Sequence, residues 1–549
     1  LEKKIFLLPT ILIFVTVATP VFAQGEEAAE VNFGILSLLP PLLAIILAFI
    51  TRQVIVSLFL GLFVGVTMLN GWNPFQGFLH SLDTYIIKAV ADPWHAGILV
   101  FTLTIGGMVA IIEKMGGMKA VADALSKLAG NARGSQIVTE LVGILVFFDD
   151  YANSLVVGPT MRPLNDKMRV SREKLAFLVD ATAAPVSDVA FISTWIGYEV
   201  GLINDSFNSL GIKANAYLTF LSSIPYRFYG LFMLLFVFLV AYLMRDFGPM
   251  YRAEVRARTT GRVISENAKP MMNVEETGDF KVKPRIYNAV IPILTLVVVG
   301  FWGLWYSGGG AGLPLTAEGI REALGNADAS IALLWAAVSA TGIAIIMGLF
   351  QGIFTIGEAF DTFVEGAKSL LITAIILTLA WSLGAVTKDI KTADYLISAL
   401  SGNLSPGLVP FLVFLISCLI SFSTGTSWGT MAISMPLALP LAHGLGAPLL
   451  PTLGSVMAGA VFGDHCSPIS DTTILSSMAS ACDHMDHVTT QMPYAVSVAL
   501  ISAVFGYIPV GLGLNVWIAL LLGAVVTYLV VRFVGKSTNP EDLKLDIKE

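Results

Sequence analysis

Long apolar stretches dominate the chain, and the charges are swept into a few segments between them. Runs such as Ala289–Tyr306 and Leu218–Met244 reach the ~17–20 residues that a helix needs to cross a bilayer. Segments 1–33, 245–285 and 536–549 hold 28 of the 71 Asp, Glu, Lys and Arg residues in 88 positions. Charged residues are 13% of the 549-residue chain, about half the ~25% of a soluble globular protein, and hydrophobic residues are 55%. Such a chain is predicted to be an all-α polytopic membrane protein, because in lipid every backbone polar group must be satisfied within the fold. The runs lack the dyad alternation of a β-barrel. This pattern excludes a soluble enzyme, and a net charge of −7 with no basic domain excludes a nucleic-acid partner. Cys418, Cys466 and Cys482 lie in apolar surroundings without a bridging pattern.

Residues 1–23 read as a signal peptide: Lys3 and Lys4, an apolar Ile5–Ala18, then Val21-Phe22-Ala23 at a small-residue cleavage site. The mature chain then starts outside a bacterial plasma (inner) membrane, and its C-terminus is cytoplasmic. The positive-inside rule threads about 11 crossings, near 34–50, 54–70, 96–113, 174–204, 216–244, 286–306, 330–350, 370–387, 447–481, 492–511 and 513–534. Arg52, the 162–174 cluster, the basic loop 245–285 and the tail 535–549 all fall inside. The chain thus divides into a first transmembrane half, 34–244, and a second, 286–534.

Two apolar segments, 136–167 and 408–446, are interrupted midway by Asp149-Asp150-Tyr151-Ala152-Asn153-Ser154 and by Ser423-Thr424-Gly425-Thr426-Ser427. Arms of about 13 residues fit re-entrant hairpins better than ~20-residue spans. The segments also suggest a duplication. Leu125-Ser126 corresponds to Leu400-Ser401, and Ala184-Pro185-Val186-Ser187-Asp188 to Ser467-Pro468-Ile469-Ser470-Asp471. Counting crossings makes the halves inverted. Inverted repeats with broken helices are a secondary-transporter architecture, with the binding site near the bilayer midplane.

Carboxylates at that depth are functional candidates by default. Asp149 and Asp150 occupy the first hairpin tip, Asp180 and Asp188 the broken helix after it, and Asp464, His465 and Asp471 its counterpart. Adjacent carboxylates in low dielectric do not readily both ionise, so such a pair holds a proton that a cation can replace. Oxygen ligands suit Na⁺, a hard cation, and Asn153, Ser154, Ser187, Thr424, Thr426, Ser427, Ser470, Thr472 and Thr473 supply them. A Na⁺ site near Asp150, Asp188 and Asp471 is the expectation. Asp188 and Asp471 could instead cap helix starts, Asp180 could pair with a neighbour, and Ser193, Thr194, Ser476 and Ser477 could line the path or pack helices. The run Cys482-Asp483-His484-Met485-Asp486-His487 matches no zinc spacing and reads as a helix terminus or pH-sensing patch. No nucleotide motif appears, so an ion gradient supplies the energy and no cofactor is expected.

Phe462-Gly463-Asp464-His465-Cys466-Ser467-Pro468-Ile469-Ser470-Asp471-Thr472-Thr473 resembles the signature of the NhaC family of Na⁺/H⁺ antiporters. Phe148-Asp149-Asp150-Tyr151-Ala152-Asn153 and the stretch Ser476–Pro493 look like the same family, over roughly residues 34–534. The signal-like start and the acidic segment Gly25–Glu30 depart from its pattern. The resemblance implies the ion-transporter superfamily: inverted repeats, two re-entrant hairpins, and a homodimer with scaffold and transport domains. It implies Na⁺ and protons as substrates, with Asp149 and Asp150 carrying protons and Asp188, Asp464 and Asp471 helping to hold Na⁺. The alternative is a Na⁺-coupled carrier with a small organic co-substrate, such as methionine, tyrosine, malate or lactate. Few cationic side chains in the predicted core argue against a multiply charged anion.

Overall fold

The computed structural model describes residues 33–270, 283, 285–400, 404–539 and 542–543, except positions 52, 128 and 192. The signal-like segment 1–23 and the acidic stretch after it lie outside these. The described chain is almost entirely helical. Its helices include α1 (Leu39–Thr51), α2 (Val54–Leu69), α3 (Pro93–Lys114), α4 (Ala132–Leu145), α5 (Asp150–Lys167), α6 (Arg172–Asp180), α7 (Ala184–Val189), α8 (Ile196–Leu210) and α9 (Phe228–Leu243). They continue with α10 (Gly248–Thr260), α11 (Tyr287–Ser307), α12 (Ala329–Phe350), α13 (Leu371–Asp389), α14 (Val409–Thr424), α15 (Ser427–Leu445), α16 (Leu449–Cys466), α17 (Asp471–Ala479), α18 (His484–Ile501) and α19 (Val516–Phe533).

Seven of the described helices are long and apolar enough to cross a membrane, or up to nine if each of two bent pairs is one span. The segments 174–204 and 447–481, predicted as the two broken helices among the 11 crossings, are indeed broken. Ala181-Thr182-Ala183 and the stretch between Val189 and Ile196 interrupt the first, Ser467–Ser470 the second. At 34–50 the chain forms a turn of 3-10 helix, Gly34–Leu38, running into α1. The two segments predicted as re-entrant hairpins are helical pairs, α4–α5 and α14–α15. Their arms are longer than expected, at 14 and 18 residues and at 16 and 19. One arm with its preceding turn, Pro406–Thr424, meets the length and composition of a span.

The same order of elements occurs twice. A long helix (α3 or α13), a short one (Gly117–Ser126 or Thr392–Leu400), a hairpin and a broken helix follow one another in each half. The second arms of the hairpins match closely. Each begins behind an extended residue whose side chain accepts the backbone N–H three residues on: Asp149 from Ala152, Thr426 from Gly429. Each then carries two prolines four apart, Pro159 and Pro163, Pro436 and Pro440. Asp150 and Ser427 are the corresponding first residues.

The basic segment 245–285 is more than a loop. Arg245–Asp246 (β1) pairs antiparallel with Lys536–Ser537 (β2), and α10 buries Met250, Ala253 and Ala257. Asp246 is buried and accepts from Lys174 Nζ at 2.5 Å and Tyr494 Oη at 2.6 Å. Arg256 reaches Glu173 at 2.8 Å, and Glu254 accepts from the Ser171 backbone at 2.7 Å. Charge excluded from the spans thus closes one end of the helix bundle.

Candidate functional site

Breaking a helix inside a membrane protein frees backbone groups, which must then find partners in neighbouring elements. Here the hairpin tips supply them. The Thr194 backbone N–H, in the break before α8, donates to the Phe148 carbonyl at 2.8 Å. Asn153 Nδ2 donates to the carbonyls of Gly143 and Thr182, at 2.7 and 2.8 Å, and so ties α5 to the first break. At the second tip, Ser427 Oγ donates to Asp464 Oδ2 at 2.7 Å.

Asp464 is the centre of an oxygen cluster. Its Oδ1 accepts from Ser470 Oγ at 2.5 Å and lies 3.3 Å from Thr472 Oγ1. Ser470 caps α17 by accepting the Thr473 backbone N–H. Asp471, the next residue, accepts a hydrogen bond from the Tyr151 hydroxyl at the first tip. The two halves therefore meet through Tyr151–Asp471 and through Ser154 Oγ, 3.1 Å from Ser476 Oγ.

Asp150 stands apart. It is buried, yet neither carboxylate oxygen has a hydrogen-bond partner among the described residues. The Trp195 indole N–H lies beside it, short of hydrogen-bonding geometry and also without a partner. Asp149, Asp471 and Asp464 are all within electrostatic reach of it. Trp195, Tyr198 and Trp428 form an aromatic group next to these acids, with ring centroids 5.4 Å apart for Trp195–Trp428 and 4.5 Å for Tyr198–Trp428.

Other predicted site residues are placed elsewhere. Asp188 neither caps a helix nor faces Asp150: it lies inside α7, with Oδ1 2.8 Å from Arg227 Nη1. The same Nη1 is 2.9 Å from Glu199 Oε2, and all three side chains are buried. The Asp150, Asp188 and Asp471 carboxylates thus form no common shell, and no three Asp, Glu, His or Cys groups among the described residues could hold a metal ion. His465 turns from the acids and places Nδ1 2.7 Å from the Tyr229 hydroxyl. Thr424 Oγ1 bonds back to its own helix at the Ile420 carbonyl, and Ser187 Oγ is buried without a partner among the described residues. Asp180 accepts from Gln491 Nε2 at 2.8 Å. Asp483 caps α18, so the Cys482–His487 run is a helix start as expected.

Arg227 and Glu199 escaped the sequence reading. The signal for Arg227 was present: one base inside the apolar run 218–244. It sits at the 49° bend between Ala216–Tyr226 and Phe228–Leu243, where the backbone leaves the helix and aims the guanidinium inward. Arg227 is thus a base within the core, fully buried, while Lys174, also fully buried, pairs with Asp246 at the end of the bundle.

The model of the Na⁺/H⁺ antiporter family matches residues 189–512. The chain belongs to that family. It is a multi-pass membrane protein of secondary-transporter type. An uncharacterised protein of Haemophilus influenzae is 34% identical to this family member over 88% of the chain and 92% of its own length. Shorter matches, covering 12% of the chain and 14% of the relative and 11% and 13%, reach an uncharacterised Na⁺/H⁺ antiporter of Haemophilus influenzae at 42% identity and the Bacillus subtilis malate-2H⁺/Na⁺-lactate antiporter at 39%. The fold is like that of Alcanivorax borkumensis YdaH (TM-score 0.55, 14% identity, 80% of this chain and 90% of that one). It is also like Neisseria gonorrhoeae MtrF (TM-score 0.51, 13% identity, 84% and 85%).

Proposed function

We infer that this protein exchanges Na⁺ for H⁺ across the bacterial plasma membrane, with its C-terminus in the cytoplasm. The observation that carries this reading is Asp150: a buried carboxylate whose oxygens meet no hydrogen-bond geometry among the described residues, with the Trp195 indole beside it, among three further acids at the junction of the two halves. A carboxylate in such a place is stable when it holds a proton or a bound cation, and it cannot hold both. Asp464, Ser427, Ser470, Thr472 and Asp471 supply the oxygens for Na⁺ next to it. The two halves act as inverted repeats, and alternate exposure of the hairpin tips carries each ion across. A homodimer with a scaffold and a transport part is the assembly that goes with this architecture.

The second reading, a Na⁺-coupled carrier of an amino acid or small organic acid, is favoured by the Trp195–Tyr198–Trp428 group beside the acids. Aromatic faces with a free indole N–H suit an organic co-substrate. The name of the malate/lactate relative points the same way. Arg227 is already neutralised by Asp188 and Glu199, so it does not offer a charge to an anion.

Purified protein in proteoliposomes with an internal pH dye separates the two. Addition of NaCl alone moves protons under the first reading. Under the second, protons or labelled Na⁺ move only when malate, lactate, methionine or tyrosine is supplied.

A further inference from the structure

The histidines at the start of α18 take part in a hydrogen-bond arrangement whose proton count is informative. Ser477 Oγ, on α17, has three neighbours: the Thr473 carbonyl at 2.7 Å, His487 Nδ1 at 2.8 Å and His484 Nδ1 at 3.1 Å. The opposite ring nitrogens face acceptors. His484 Nε2 is 2.8 Å from the Pro468 carbonyl, and His487 Nε2 is 3.0 Å from Gln491 Oε1. The Gln491 amide has only one workable orientation, because its nitrogen faces the His465 carbonyl and Asp180 Oδ2, which accept. Both histidines must therefore carry hydrogen on Nε2.

Ser477 has a single hydrogen for its three neighbours. With both histidines neutral, two of the three contacts set lone pair against lone pair. One added proton, on either Nδ1, turns one of those contacts into a hydrogen bond, and a second turns the other. The counter-charge is close: Asp180 Oδ2 is 3.8 Å from His487 Nε2, with both side chains fully buried. From Asp180 the chain of contacts continues through Ser476 Oγ at 3.4 Å to Ser154, one turn beyond Asp150 on α5. Its outer end is His484, which is only partly buried. Asp464, His465 and Cys466 of α16 face this chain, as do Asp483 and Asp486 on its own helix. Arg172, from the start of α6, binds the carbonyls of Ser480 and Ala481 beside it.

We propose that His484 and His487, joined through Ser477, are a proton-loading site that exchanges with Asp180 and, through it, with the acids at the hairpin tips. This rests on the reading of proton-coupled transport above. The step moves one proton from His487 Nε2 to Asp180 Oδ2 and leaves a neutral imidazole and a neutral carboxylic acid. The proton it gives up is replaced in advance at Nδ1, from His484 by way of the Ser477 hydroxyl, so the imidazole left behind keeps its hydrogen on Nδ1, and return of the Asp180 proton to Nε2 resets it. Gln491 does not relay the proton; it holds donor and acceptor in place.

Two measurements test this in the full-length protein. In proteoliposomes, His487→Gln is expected to lower ²²Na⁺ uptake driven by a pH gradient about 100-fold, the scale of a lost acid–base group, and to lower Na⁺/Na⁺ exchange at equal pH about threefold or less. Ser477→Thr keeps the hydroxyl and should behave like the parent, whereas Ser477→Ala should follow His487→Gln. Equal loss in both assays, or no loss in the gradient-driven one, overturns the proposal. The second measurement needs no transport: ¹⁵N-histidine spectra of the purified protein across pH. His484 and His487 should take up a proton as a coupled pair, and Ser477→Ala should uncouple them. Histidines that remain neutral down to acid unfolding overturn the site. Coupled uptake in a protein that shows no gradient-driven ²²Na⁺ flux would support the site and remove the Na⁺/H⁺ reading instead.

Discussion

Asp188 and Asp150 are both buried carboxylates in the first half of the chain, yet they are partnered in opposite ways. Asp188 shares the Arg227 guanidinium with Glu199, and Ser223 Oγ sits 3.2 Å from the same guanidinium. Asp150 meets no hydrogen-bond donor among the described residues and looks onto three other acids. A buried acid with a covalently fixed cation is a structural element, since removing either partner strands a charge in low dielectric. A buried acid without one recruits a mobile cation. Under the proposed Na⁺/H⁺ reading, the contrast assigns exchange to the hairpin tips rather than to the whole acidic core.

The largest effect that follows is at Asp150. Asp150→Asn should reduce Na⁺-driven proton movement by ~100-fold or more while the protein still inserts and purifies, as read by dye dequenching. Normal dequenching in that variant would remove Asp150 from the exchange. At the other pole, Arg227→Met should lower stability by ~3–5 kcal/mol, because it leaves two buried carboxylates unpaired. Thermal unfolding followed by size-exclusion would show it, and adding Asp188→Asn and Glu199→Gln should recover most of the loss. If the triple variant folds but has lost Na⁺ affinity, Asp188 belongs to the transport site and the contrast collapses.

Asp464→Asn should raise the half-saturating Na⁺ concentration about tenfold, equivalent to ~1.4 kcal/mol, with folding unchanged. Asp471→Asn should raise it too, and an unchanged value would reduce that residue to a local helix-start role. The smallest shift is expected for Tyr151→Phe, which removes a single hydrogen bond to Asp471. A two- to threefold change in apparent Na⁺ affinity corresponds to the ~0.5–1 kcal/mol net worth of one such bond.

Much of the fold was legible from local pattern. The apolar runs predicted the helices, and the polar interruptions at 149–154 and 423–427 marked both hairpin turns. The helix breaks at Ala181-Thr182-Ala183 and Ser467–Ser470 fall beside or within the two Pro-x-Ser-Asp motifs. The paired prolines, Pro159/Pro163 and Pro436/Pro440, carry the same duplication signal in the sequence. What proved illegible was partnering. Asp188 and Asp471 stand at matching places in matching motifs, yet one meets a guanidinium at the edge of α9 and the other a phenol 320 residues away in sequence. Helix caps show the same limit: Asp149 and Ser470 cap, while Asp150 and Asp471, each one position later, point elsewhere.

The sequence by itself determined where helices run, where they break, and that acids collect at the breaks. Those properties follow from hydrophobicity and from backbone hydrogen bonding, which act over one or two turns. Tertiary structure alone decided which acids are neutralised and which remain open. That choice depends on side chains hundreds of residues apart arriving within ~3 Å, the distance over which a buried charge is either satisfied or left to find an ion.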